Sequence, residues 1–177
     1  MGLDISAYSD VTVIGLNAEY DEEDIHNYAF LNPDFPHSYP VEWQGGSYVT
    51  WSTTPGTDSH SFRAGSYSGY GLFRSTLAQM VLIGDTYDRD YEWNLIQNHS
   101  DKDFYELVDF SDCEGTMIGP VTRKLYYDFV NNREKYVKFV TETKPFPAWE
   151  ADYFIERYDN FTKAFDLARN SGLVSFH

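Results

Sequence analysis

The chain has 177 residues, and 28 Asp and Glu against 13 Lys and Arg give it a formal charge of −15, with aromatic residues at 18%. This length suits one domain with its own core, and so many large rings exclude a disordered chain, which lacks apolar surface to offset ordering entropy. The acidity argues against broad binding of nucleic acid or anionic membranes, the lone Cys113 excludes a disulfide framework or a cysteine-based zinc site, and no apolar run approaches a membrane span.

In chain order, Ile5 to Leu16 reads as strand, with β-branched Val11–Ile14 at its centre and Gly15 as a stop. The run Asp21–Asp24 is too charged for a core and reads as a solvated turn. Tyr28–Leu31 is a short strand ended by Asn32-Pro33, and the SYVTWST stretch, with Tyr48–Trp51 as its core, is another. From Tyr70 the period turns helical: Leu72, Phe73, Leu77, Met80 and Val81 share a face, which predicts a helix over Tyr70–Ile83 capped by Gly84. Asp85–Lys102 is polar and acidic and carries no clear period. Phe104–Phe110 suits a short helix or a strand equally. Pro120 at a first helical position opens a helix to Thr141, lined by Val121, Leu125, Phe129, Val130, Val137 and Val140. A last helix spans Ala148–Asn170, with Trp149, Tyr153, Phe161, Phe165 and Ala168 facing inward, and Leu173–His177 returns as an edge strand. Strands first and helices after predict a single α+β domain over 1–177, a small sheet from the N-terminal half packed against three main helices. The expected core is Val13, Trp51, Leu72, Leu77, Val121, Leu125, Phe129, Tyr153, Phe161 and Phe165.

Residues 1–62 hold ten acids and no Lys or Arg, so Arg63 is the first cation of the chain. It opens FRAGSYSGYGLFR, a Gly/Ser-rich turn entering a helix with Ser66 or Ser68 as N-cap. Free backbone N–H groups and the positive helix end accept anions there, Arg63 and Arg74 can clamp phosphate or carboxylate oxygens, and Tyr67 and Tyr70 can stack on a planar ring. The expected ligand-binding residues are therefore Arg63, Ser66, Tyr67, Ser68, Tyr70 and Arg74. The plain alternative is a capped helix with packed tyrosines and paired arginines. Neither the P-loop nor the dinucleotide pattern is present. A second segment places Asp109, Asp112 and Glu114 just before a helix start. Such carboxylates can bind a hard cation through oxygen, act as general acid and base when burial separates their pKa values, or simply complement the helix dipole. Their spacing matches no standard metal loop, so no metal and no cofactor is expected.

The opening MGLDISAYS, the central FRAGSYSGY, the later DFSDCEGTMIGP and the closing LVSFH together resemble a family of small uncharacterised phage and prophage proteins. The resemblance implies a phage origin and the cytoplasm of an infected bacterium as the setting; it supplies no activity and no catalytic residue. Small accessory phage proteins often counter host defences by binding a host protein or by capturing or cleaving a nucleotide signal. Three functions follow: a binder of a nucleotide-like small anion built on residues 62–74, an acidic protein that docks a basic host protein or imitates DNA charge, and a hydrolase using the 109–114 carboxylates. Direct nucleic-acid or membrane binding is not expected, and a homo-oligomer, most simply a symmetric dimer, is the default assembly.

Overall fold

Leu3, Ile5 and Ala7 alternate along the first strand, and all three are buried, as a two-residue period requires of a strand with one face on a core. The computed structural model describes residues 2–17, 27–84, 98–110, 114–143 and 147–177. Among the described residues seven strands, β1 (Gly2–Tyr8), β2 (Val11–Leu16), β3 (Asn27–Phe30), β4 (Tyr48–Thr53), β5 (Ser59–Ser66), β6 (Gly115–Ile118) and β7 (Leu173–Phe176), form two antiparallel sheets. The larger has the order β5-β1-β7-β6 and the smaller the order β2-β4-β3. The helices are α1 (Tyr67–Leu82), α2 (Tyr105–Asp109), α3 (Pro120–Lys138) and α4 (Ala148–Ala168). The fold class is α+β, as expected. Among the described residues no helix is long and apolar enough to cross a membrane.

The larger sheet separates two apolar clusters. Met117, Val174 and Phe176 look toward the helices and join Leu3, Ile5, Phe73, Phe129, Phe161 and Phe165. Ile118 and Leu173, one step out of phase, look the other way and pack with Val11, Val49 and Trp51 of the smaller sheet. Face-alternation along β6 and β7 thus holds three layers together: helices, four-stranded sheet, three-stranded sheet.

Several expectations change in the structure. The Ile5–Leu16 run divides into β1 and β2 at Ser9-Asp10, where Asp10 has φ of 46°. The segment Leu173–His177 is not an edge: β7 pairs with both β1 and β6, so the larger sheet draws two strands from the C-terminal half. Phe104–Phe110 resolves as α2. Helix α1 begins three residues before Tyr70, because the Ser66 side chain accepts the Gly69 N–H and sets the N-cap there. It ends as expected, with Gly84 at φ 75° donating back to Gln79 O. Helix α3 gives way at Phe139–Thr143 to a wider, π-type turn.

Trp51, Leu77, Val121, Leu125, Phe129, Phe161 and Phe165 are buried, and Leu72 is half-buried. Val13 and Tyr153 are not core: they are 37% and 44% exposed. Strand β2 lies at a sheet edge and shifts register between Val13 and Gly15, which breaks its alternation after Val11. In α4 the inward stripe runs through Ala151, Phe154, Tyr158, Phe161 and Phe165, leaving Trp149 outside and Tyr153 beside it. Val130 likewise faces solvent. Asp21–Asp24, Asp85–Gln97, Asp112 and Cys113 lie outside the described residues.

Candidate functional site at the start of the first long helix

Strand β5 runs directly into α1, and the junction carries the Gly/Ser-rich segment singled out in the sequence. Gly65 has φ of 109°, a conformation that favours glycine. A Cβ there would also stand 2.5 Å from Arg157 Nη2 and 2.7 Å from the Tyr153 hydroxyl, so the bare backbone lets α4 approach closely. Ser66 caps the helix at 3.1 Å from Gly69 N, and Ser68 Oγ lies 3.1 Å from Ser66 Oγ. Ser66, Tyr67 and Ser68 are exposed, and the ring of Tyr67 stands 41% open at the positive end of a 16-residue helix.

Beneath this junction sits Arg157 of α4, only 3% exposed. Its Nη1 donates to Gly69 O at 2.7 Å, its Nη2 to the Tyr153 hydroxyl, and its guanidinium lies 4.3 Å from the centroid of the Tyr153 ring. Phe73 and Phe154 flank it at 5.7 Å. Among the described residues no carboxylate pairs with it. Burial pulls the Arg157 guanidinium below its ordinary value, against the partial support of Tyr153, Tyr136 and Tyr70. The Tyr136 hydroxyl, wholly buried and without a hydrogen-bond partner among the described residues, is raised well above its usual range by burial, while the charge of Arg157 acts to lower it. A buried cation beside the positive end of a helix is a pairing of like potentials, and an anion would relieve both.

The other residues expected here go elsewhere. Arg63 is exposed on β5, and its guanidinium packs against Gly2, the residue that pairs with Ser66. It thus borders the junction from the far side of the strand pair. Tyr70 is fully buried against Phe161 and Phe176 and offers no stacking face. Arg74, 5% exposed, points inward: Nη1 donates to Val108 O at 2.8 Å and to Phe110 O at 3.3 Å, holding the end of α2. The two-arginine clamp of the sequence reading is replaced by Arg157 from a helix far along the chain. One signal for it was legible, an arginine set in the apolar stripe between Phe154 and Phe161.

Of the acidic segment, Asp109 and Glu114 are described and Asp112 is not. Asp109 ends α2 and faces His37, with Oδ2 to Nε2 at 3.5 Å. Glu114 is exposed, and its backbone oxygen accepts from Asn32 Nδ2. Among the described residues no three His, Cys, Asp or Glu side chains group closely enough to hold a metal ion. A cavity of about 430 Å³ lies at the start of α3, bordered by Arg123, Lys124, Tyr127 and Asn170. Its lysine is already neutralised: Nζ stands 2.7 Å from Glu106 Oε2 and 2.8 Å from Asp128 Oδ2, and these carboxylates raise Lys124 despite its burial. Compared with known protein families, curated proteins and solved structures, the chain matches none.

Proposed function

We propose that this α+β protein binds a small nucleotide-like anion at the β5–α1 junction. The observation that carries the reading is Arg157, a buried guanidinium that no carboxylate among the described residues pairs, set under the N-terminal turn of α1. Ser66 and Ser68 supply hydroxyls, and Tyr67 and Tyr153 supply rings on which a planar group can rest. The phosphate of such a ligand would sit at the helix start and its ring against a tyrosine. The phage resemblance supports sequestration in the bacterial cytoplasm as the purpose, a counter to nucleotide-based host defence. Sequestration needs tight burial of charge and no nucleophile, which suits this set of side chains.

A second reading rests on a different surface. Asp152, Glu156, Asp159 and Lys163 border an open groove of about 500 Å³ along α4; Arg133 pairs with Asp159, which leaves Asp152 and Glu156 to face a basic host protein. The two readings separate in one experiment. Protein purified from infected bacterial lysate is examined by native mass spectrometry beside its Arg157→Met variant. A phosphorylated small molecule retained by the wild type and absent from the variant supports the anion reading; a co-purified protein and no small molecule supports the acidic docking face.

A further inference from the structure

The 3₁₀ turn Pro36–Ser38 brings His37 over the end of α2, where its ring lies between Phe35 and Tyr105. The inward nitrogen, Nε2, is buried and makes no hydrogen bond among the described residues; it lies 3.5 Å from Asp109 Oδ2, within ion-pairing reach, a contact that can tighten when a ligand binds. Both side chains are substantially buried, at 25% and 13% exposure. With Nε2 turned to the carboxylate, the remaining nitrogen, Nδ1, is the one left for a molecule outside the pair. His37 borders a cavity of about 380 Å³ whose other walls are mainly apolar, from Pro36, Tyr39, Pro40, Val41 and Pro120, with Gln44 as the one uncharged polar side chain besides the tyrosine. This cavity shares no residue with the β5–α1 junction.

We propose that His37 and Asp109 form a proton-accepting dyad, and that the cavity takes a small, flat, mainly apolar molecule bearing one acidic hydroxyl, of the phenol or enol class. In the complex Nε2–H turns to Asp109, which accepts it and so favours the tautomer in which Nδ1 carries a lone pair. That lone pair accepts the ligand's O–H. In the transfer step the O–H bond breaks, its electron pair stays on the ligand oxygen, and the proton moves to Nδ1. Asp109 then faces an imidazolium, and the ligand oxyanion remains beside it as the counter-charge. Apolar walls match the flat body of the ligand, whereas a nucleotide-sized polyanion would meet no lysine or arginine among the described residues that line the cavity. An alternative in which the cavity recognises only apolar shape would give no preference for a hydroxyl.

The probe pair 2-naphthol and 2-methoxynaphthalene distinguishes these, since they differ only in the transferable proton and naphthol fluorescence reports its loss. The dyad predicts that the protein binds 2-naphthol at least about tenfold more tightly than its methyl ether, the scale of one hydrogen bond to a charged group. It also predicts increased naphtholate emission in the complex. His37→Gln removes both the preference and the emission change, and Asp109→Asn, which cannot stabilise the imidazolium, reduces both while circular dichroism remains that of the wild type. Equal binding of the two probes, binding of neither, or a preference that survives in His37→Gln overturns the proposal.

Discussion

Arg157→Met removes the buried charge while keeping a long, flexible apolar side chain, and its effect on stability tests whether that charge is uncompensated. The variant loses two hydrogen bonds, to Gly69 O at 2.7 Å and to the Tyr153 hydroxyl, each worth about 1.5–3 kcal/mol for a charged donor. It also loses the guanidinium over the Tyr153 ring at 4.3 Å, worth about 0.5–2 kcal/mol. Against this stands the desolvation of an ion that no carboxylate among the described residues pairs, which amounts to several kcal/mol in a protein interior. The two sides largely offset, so in phosphate-free buffer Arg157→Met should unfold within about 2 kcal/mol of the wild type. Arg157→Ala, which also opens a void beside Phe73 and Phe154, should cost about 2–5 kcal/mol. Urea titrations followed by tryptophan fluorescence, with equal slopes for all three proteins, give these differences directly. A loss above about 3 kcal/mol for Arg157→Met would mean that the guanidinium is a structural strut already satisfied by its neighbours, and the argument for a missing anion would fail.

Pyrophosphate at about 100 times its dissociation constant should stabilise the wild type by about 2.7 kcal/mol, or roughly 5–11 °C in melting temperature, and should leave Arg157→Met unmoved in a calorimetric scan. Lys124→Met strands Glu106 and Asp128 without their ammonium; because Lys124 is 37% exposed, the loss should be about 2–3 kcal/mol, below that of a fully buried pair, in a urea titration. Ser66→Ala should cost about 1 kcal/mol by freeing the Gly69 N–H, measured in the same way. Burial, and secondarily Lys163, holds His60 below its usual range, so folding favours its neutral form. Stability from this group is present above the unfolded imidazole value and is lost as pH falls through the folded one. Thermal melts across that acidic interval should therefore fall less steeply in His60→Gln than in the wild type.

Helices were largely legible because each carries its own period and its own stops: Pro120 opens α3, Gly84 closes α1, and Ser66 fixes where α1 begins. Strands β5 and β6 were not. In β5 the alternation of outward Ser59, Ser61 and Arg63 with inward His60, Phe62 and Ala64 is present, yet its Gly/Ser content reads as loop. Strand β6 is four residues long and buried on both faces, so no period can show. Its partner β7 reads as an edge because nothing local reveals that β1 and β6 flank it. The site divides in the same way. Ser66, Tyr67 and Ser68 stand at the helix start that the sequence predicts, since capping is local chemistry. Arg157 reaches Gly69 across 88 residues, and His37 reaches Asp109 from a turn that composition marks only as a Pro-rich loop. Tyr70 and Arg74 belong to the inward face of α1, a fact set by how the helix is rotated on the sheet.

The claim that an anion completes the charge balance at the β5–α1 junction is tested most directly by isothermal titration calorimetry. Inorganic pyrophosphate and a panel of linear and cyclic nucleotides are titrated into the wild type and into Arg157→Met at two salt concentrations. The account predicts saturable one-to-one binding of at least one phosphorylated ligand to the wild type, weakened about 10- to 150-fold in the variant, the scale of one charge-assisted hydrogen bond. Affinity for the wild type should also fall as salt rises, because part of the attraction is between partly exposed charges. Absence of binding to the wild type, or equal affinity in Arg157→Met, would contradict it.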